Sequence, residues 1–330
     1  MNYHRLFCYP VFRFYLHVFK NSYCRRRPLS ETNLILHSRM AISTFSLVYS
    51  LSIAAVVVFN IAGNSLVCVV MLKKEMKTSI NWFLFHLAIA DLLVAVFFSP
   101  ATVLSHYIMQ PSGFTGDLLC KFIFSGNLGW VAAATSSFLL VVIAFERYNA
   151  TLHPLEQLSR SRSRWLVPIM WIAALLLVSP LFVTSTYDVE SQTCVNSFPN
   201  RLKSRAFFLF WSFCNELVPI TIMVYLYTRI ILRLRTVVLV QVSYPNSVSQ
   251  SRHKVTKMLI SISAIFIMCW TPAAVLCVLT PMIPGERTTV YFVAKASALL
   301  NSSLNPVVYT FHSQNFRKNL AAVVPCRKSK

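Results

Sequence analysis

Several side chains in this sequence stand where an apolar chain would not carry them without a use. Asp91, Glu216 and Lys295 are ionisable groups inside long hydrophobic runs, where a charge is costly and marks a site by default. Oxygen donors such as the Asp91 carboxylate suit a hard cation. Glu146-Arg147-Tyr148 sets an acid beside a guanidinium at the end of another run, so the pair can close on itself or open toward a partner. Phe266 and Trp270 lie four residues apart and share one helix face. Two residues later Pro272 removes a backbone hydrogen bond and permits a hinge. Asn301-Ser302-Ser303-Leu304-Asn305-Pro306-Val307-Val308-Tyr309 repeats the device with amides beside a proline. None of this is bond-making chemistry. The chain has no Gly-rich phosphate loop, no His/Cys metal cluster and no nucleophile–base pair at an informative spacing. Asp91 and Glu216 fall at different depths, so they make a poor catalytic dyad.

The elements that must position these groups follow from composition. The 330 residues are 56% hydrophobic and only 12% charged, about half the charged fraction of a soluble domain. Seven apolar runs, near 43–72, 80–108, 120–147, 165–186, 206–234, 255–280 and 290–311, each approach the roughly 20 residues a spanning helix needs. They use nearly the whole chain, without internal repeat or low-complexity tract. The expected fold is all-α, a seven-transmembrane helix bundle with a short amphipathic surface helix at its C-terminal end. Its parts are a tail over 1–42, the bundle over 43–312, and the surface helix with a short tail over 313–330.

The net charge of +21 invites a nucleic-acid reading, but its distribution argues against one. If the first loop is cytoplasmic, that side holds 18 Lys and Arg and the opposite side 6. The positive-inside rule then puts the N-terminus outside, and the basic loops face anionic lipid headgroups. Residues 1–39 disagree, with seven basic residues that resist translocation. Leu6–Phe19 is too short and charged to span and lacks a clean cleavage site. A floppy tail and a natural start at Met40 are both open readings. Cys68, Cys214, Cys269 and Cys277 fall within runs as small packing residues. Cys120 and Cys194 both fall on the oxidising side, and a disulfide between them is expected. Cys326, beside Arg327 and Lys328, suits either a palmitoyl anchor or a free thiol.

One motif per run, taken in order, resembles the rhodopsin-like (class A) G-protein-coupled receptors, over about residues 43–325. The motifs are Gly63-Asn64, Leu87-Ala88-Ile89-Ala90-Asp91, Glu146-Arg147-Tyr148, Trp171, Pro219 with Tyr227, Phe266 to Pro272, and Asn305-Pro306. Each tripeptide alone recurs by chance; seven in order do not. The resemblance implies a plasma-membrane receptor in which an extracellular ligand selects a state that activates a heterotrimeric G protein. It implies a sodium ion held by Asp91 with Ser136, among Asn301, Ser302 and Asn305, the alternative being a water-filled polar cluster. It implies that Trp270 and Phe266 relay ligand pressure to the sixth helix, and that Tyr227 and Tyr309 then meet near Arg147. Arg147, Pro154 and Leu155 would contact the G protein. Ser313–Ala322 resembles the family's surface helix, with Phe316 expected to face lipid. The acid that holds this Arg from the sixth helix in many relatives is missing, since Arg252-His253-Lys254 stands there. A weaker hold on the resting state is the expectation.

The ligand side is less determined. Glu216 and Lys295 are expected in the outer half, paired with each other or with a charged ligand, or with Lys295 snorkelling. Trp130, Asn127, His106, Tyr187, Tyr291 and Trp270 are candidates to line the same chamber. Aminergic relatives carry an Asp eighteen residues before the Arg, where this chain has Gly129. Opsins carry a Lys seven residues before the motif Pro, where it has Leu299. A peptide is the favoured ligand, with a lipid or small organic molecule behind it. Cys120 lies 27 residues before Arg147, two more than the family's usual spacing. Ser125-Gly126-Asn127-Leu128-Gly129 is the stretch expected to absorb them. The loop near Thr236–Ser251 holds four serines and the tail after Phe316 one, so arrestin capture is expected to be weak. A transporter or channel using Asp91, Glu216 and Lys295 as steps is the rival reading, without the internal repeats such proteins commonly carry.

Overall fold

The apolar runs form helices because nothing in them can satisfy a backbone in lipid except its own ladder. A computed structural model describes residues 31–73, 76, 78–103, 111–153, 160–190, 192–240, 247–279 and 287–323. His106, Pro154, Leu155, Cys326 and residues 1–30 lie outside them. For Arg252, His253 and Lys254 only the helical backbone is described. The chain divides into Met1–Tyr49 and Ser50–Lys330. Helix α1, Glu31–Met71, begins ahead of the expected boundary at 43.

In the second unit α2 is Ser79–Thr102, started by Thr78, whose hydroxyl accepts from the Asn81 N–H at 3.3 Å. The third span is interrupted. Helix α3, Gly113–Leu119, runs into a π-helical turn, Cys120–Phe124, and α4, Asn127–Leu152, restarts after Gly126. Gly126 has φ +76°, and the Phe98 ring stands 2.9 Å from where a Cβ would be; both facts demand glycine. The chain thus leaves the regular helix in the neighbourhood where its two extra residues fall. Next come α5, Arg160–Thr184, and a hairpin of β1, Ser185–Asp188, and β2, Thr193–Asn196. This hairpin, paired Tyr187 to Cys194, was not foreseen: its strands are four residues each, too short for a period-2 signal. Helix α6, Arg201–Ser212, a second π turn, Phe213–Leu217, and α7, Val218–Val240, make the fifth span. Helices α8, Ser247–Leu279, α9, Arg287–His312, and α10, Gln314–Ala321, complete the chain.

Six of the described spans are long and apolar enough to cross a membrane. The seventh, α9, has the length at 26 residues, about 39 Å of rise, but its Ser and Asn residues dilute its apolar character. Of its most apolar window the third span buries 72%, against 22% for α5. Helix α4 is therefore the axis of the bundle and α5 a lipid-facing rim.

Helix α10 corrects one expectation. Phe316 is 2% exposed and packs on Tyr309 with ring centroids 6.0 Å apart. The Ser313 cap sets the angle: its hydroxyl accepts from the Phe316 N–H at 3.2 Å, turning the ring under the bundle rather than toward lipid. Lys73 fastens the same helix from the first loop, donating to the Asn319 carbonyl at 2.9 Å.

Candidate functional site

Prolines inside the spans expose carbonyls that need donors, and the site is built around how they are met. Pro306 returns no N–H to the Ser302 carbonyl. Asn64 reaches across from α1 and donates to that oxygen at 3.1 Å. It also meets Asn60, at 3.2 Å to the carbonyl and 3.2 Å to the side-chain oxygen. The approach depends on Gly63, where a Cβ would sit 3.0 Å from Pro306 Cγ. Beside this joint lies Asp91, fully buried. Ser136 donates to its Oδ1 at 3.0 Å and Asn305 Nδ2 to its Oδ2 at 2.7 Å. Asn305 Oδ1 and Asn64 Oδ1 are buried beside this joint and Asn301 Oδ1 is buried on α9, each without a donor among the described residues. Asp91, Ser136 and Asn305 are thus joined in one buried cluster, with the Ser302 carbonyl tied to Asn64 beside it, and Asn301 lies buried on the same helix as Asn305.

At one end of α4 Arg147 closes on its neighbour. Its Nε and one terminal nitrogen both reach Glu146 Oε2, at 2.9 and 2.7 Å. Arg147 lines a cavity of about 180 Å³ with Met71, Leu84, Met258, Tyr309 and Phe316. The Tyr309 hydroxyl is buried and has no partner, and Tyr227 is 6% exposed. Tyr148 turns away, its ring 5.9 Å from that of His153. Higher in the bundle Phe266 and Trp270 are both buried, with centroids 6.0 Å apart. Pro272 stands two residues beyond Trp270 inside α8.

The opposite end is closed by the hairpin. Cys120 and Cys194 form a disulfide, and Asp117 accepts from the Tyr187 N–H at 2.8 Å. Asn127 donates to Ser185 Oγ at 2.9 Å and to the Lys121 and Leu181 carbonyls at 3.0 and 3.3 Å. Its two amide hydrogens are spent on the framework, which leaves none for a ligand. Ser185 passes the chain on to Asn196 Oδ1 at 2.9 Å, and Asn196 donates to the Tyr291 hydroxyl at 2.6 Å. Asn196 was missed in the sequence, although strand alternation puts it on the face of Cys194. Trp130 meets Phe98, Trp211 and Tyr291 at 4.8, 5.8 and 6.4 Å.

Glu216 and Lys295 are not brought together: no ion pair joins them, and Glu216 is instead met by the Ser212 hydroxyl at 2.6 Å. Asn215, Ser212 and Trp211 were also missed, though each lies within five residues of Glu216 in one span. At Gly129 a Cβ has no room, because the Phe98 ring fills its place. The point where an aminergic acid would stand is occupied by an aromatic ring.

Residues 63–309 match the family model described as 7 transmembrane receptor (rhodopsin family). The chain is 32% identical over 286 residues to a QRFP-like peptide receptor of Branchiostoma floridae, covering 80% of this chain and 74% of that one. It is 29% identical to neuropeptide FF receptor 1 of Rattus norvegicus, covering 89% and 77%. To the pyroglutamylated RF-amide peptide receptor of Mus musculus it is 26% identical, over 85% and 70%.

Proposed function

The chain belongs to the rhodopsin family of seven-transmembrane receptors, and from that premise we propose that it binds an extracellular peptide and activates a heterotrimeric G protein. As a family member with this run of apolar helices it is a multi-pass protein of the plasma membrane. The hairpin end faces outward in this reading, with Arg147 and α10 in the cytosol, as the excess of basic residues beside α10 and Arg147 requires. The relatives are named for peptide ligands, which favours a peptide here.

The observation that carries the reading is the state of Arg147. It is held by its own neighbour, at the wall of a cavity that Tyr309 and Met258 close. Opening α8 at Pro272 would widen that cavity and release the guanidinium to a partner. A peptide seated under the hairpin would press on Trp270, and through Phe266 favour the open state. Binding selects between two arrangements of one bundle, and no covalent step is asked of it. Arg147→Ala is expected to reach the cell surface and to lose at least tenfold in ligand-driven G-protein dissociation. A normal response from surface-expressed Arg147→Ala would remove the basis of the reading.

Sodium fits the polar cluster, on the ground of its unpartnered oxygens. Asp91, with the Ser136 hydroxyl and the Asn305 carbonyl oxygen, is an all-oxygen set of the kind a hard monovalent cation takes, and Asn301 on the same helix as Asn305 would add a further oxygen. The ion would supply a counter-charge to Asp91 and favour the closed state. Replacing sodium by choline should raise agonist affinity in membranes of the natural chain and leave Asp91→Asn unchanged. Equal sodium sensitivity in both proteins would exclude the site. The few serines in the loop and tail support weak arrestin capture as a further part of this proposal.

A further inference from the structure

Glu216 is an acid with a place prepared for it, and no cation among the described residues meets it. It is 3% exposed, and its one hydrogen bond among the described residues comes from Ser212 Oγ. A carboxylate in such surroundings is costly to ionise unless a cation meets it. The backbone departs from regular helix to hold it there. The π turn Phe213–Leu217 carries both Asn215 and Glu216 on the buried side. Pro219, lacking an N–H for the Asn215 carbonyl, helps make that turn, and Ser137 donates to the freed oxygen at 2.8 Å. The Asn215 side chain is fully buried and neither its Nδ2 nor its Oδ1 has a partner among the described residues. Five residues before Glu216, and on the same face across a π turn, stands Trp211. Its ring meets Trp130 edge-on at 5.8 Å, and the Trp130 N–H is buried and unpartnered.

A buried carboxylate, a free amide oxygen and two indoles together make a receptor for a cation: one supplies charge, one an acceptor, and the rings a π face. We propose that Glu216, Asn215, Trp130 and Trp211 form the seat of a cationic group of the ligand, an arginine or lysine side chain. This rests on the reading of the chain as a peptide receptor. It moves the counter-charge from the third span, where Phe98 fills the position at Gly129, to the fifth. Lys295 does not compete for the acid, since no hydrogen bond or ion pair joins it to Glu216 among the described residues.

The test uses cells expressing the full chain, read by G-protein dissociation and normalised to surface protein. The probes are arrayed hexapeptide amides containing one arginine, each paired with a twin carrying neutral citrulline, and phenethylguanidine as a non-peptide cation. The arginine members should exceed their twins at least tenfold on the natural chain and less than threefold on Glu216→Gln. Trp211→Leu, which keeps the charge, should narrow the gap two- to fivefold and serves if Glu216→Gln stays inside the cell. Active peptides whose twins suffer equally from Glu216→Gln, or an unchanged gap in Trp211→Leu, would overturn the inference and leave the peptide-receptor reading standing. Silence from every peptide with a Glu216-dependent response to phenethylguanidine would keep the cation seat and remove the peptide. Silence from both classes would count against both.

Discussion

The bundle breaks two of its helices with proline near the polar core and treats the breaks in opposite ways. At Pro306 the orphaned Ser302 carbonyl is taken by Asn64 from another helix, and Gly63 lets the ring lie against α1. At Pro272 the orphaned carbonyl belongs to Met268, and no side chain among the described residues donates to it. Met268 itself is 66% exposed, so its side chain points out of the bundle. A break that is bonded across a helix interface is a fixed bend. A break that is not can straighten or deepen at little cost. In the proposed mechanism the difference makes α8 the pivot and α9 the anchor, although both sequences read alike as an apolar helix with a proline.

The most direct way to break this contrast is to abolish the free hinge. Pro272→Ala restores an N–H to Met268, and a regular turn gains in water about 3 kcal/mol relative to proline. Ligand-driven G-protein dissociation should fall at least tenfold at equal surface expression, while the solubilised protein melts a few degrees higher. A full response from Pro272→Ala would mean that the pivot lies elsewhere.

Making the anchored break resemble the free one is the second way. Asn64→Ala leaves Ser302 C=O without its donor and removes two contacts to Asn60. The loss should be about 1–2 kcal/mol, the upper range for interhelical hydrogen bonds in bilayers. It should appear as a lower melting temperature and a several-fold rise in ligand-independent signalling. An unaltered melting temperature together with unaltered basal signalling would make Asn64 incidental to the joint.

How much of this could be read beforehand divides along the same line. Composition and hydrophobic runs gave the helices, and basic loops gave an orientation to propose, because lipid and surface charge act on segments and leave their mark on segments. Asp91, Asn305 and Arg147 could be singled out because polar groups in an apolar run stand out singly. What stayed hidden depends on partners distant in the chain. Asn64 and Ser302 are 238 residues apart, and no local pattern says that one caps the other. Phe98 filling the space at Gly129 is invisible for the same reason. Amphipathicity and the resemblance to the family's surface helix both point Phe316 toward lipid, but its direction is set by the Ser313 cap and by Tyr309. The Cys194 strand was too short to declare itself, and Asn196 was lost with it.

The smallest effect is expected where a proline is patched from within its own turn. Pro100 orphans the Val96 carbonyl, and Ser99 Oγ donates to it at 3.0 Å. Pro180 orphans Leu176, and Ser179 does the same at 2.8 Å. These hydroxyls precede their prolines by one residue and touch no other helix through this bond. The repair can therefore move with the helix and fixes nothing outside it. Ser99→Ala should cost only about 0.5 kcal/mol, near the average for bilayer hydrogen bonds, and leave basal and ligand-driven signalling within twofold of the natural chain. Ser137→Ala, which withdraws a donor reaching from α4 to Asn215, should cost about twice as much and be the more visible in a melting curve. If the two serines prove equal, bonding across an interface confers no special rigidity, and the contrast between Pro306 and Pro272 would have to come from the lipid rather than from the helices.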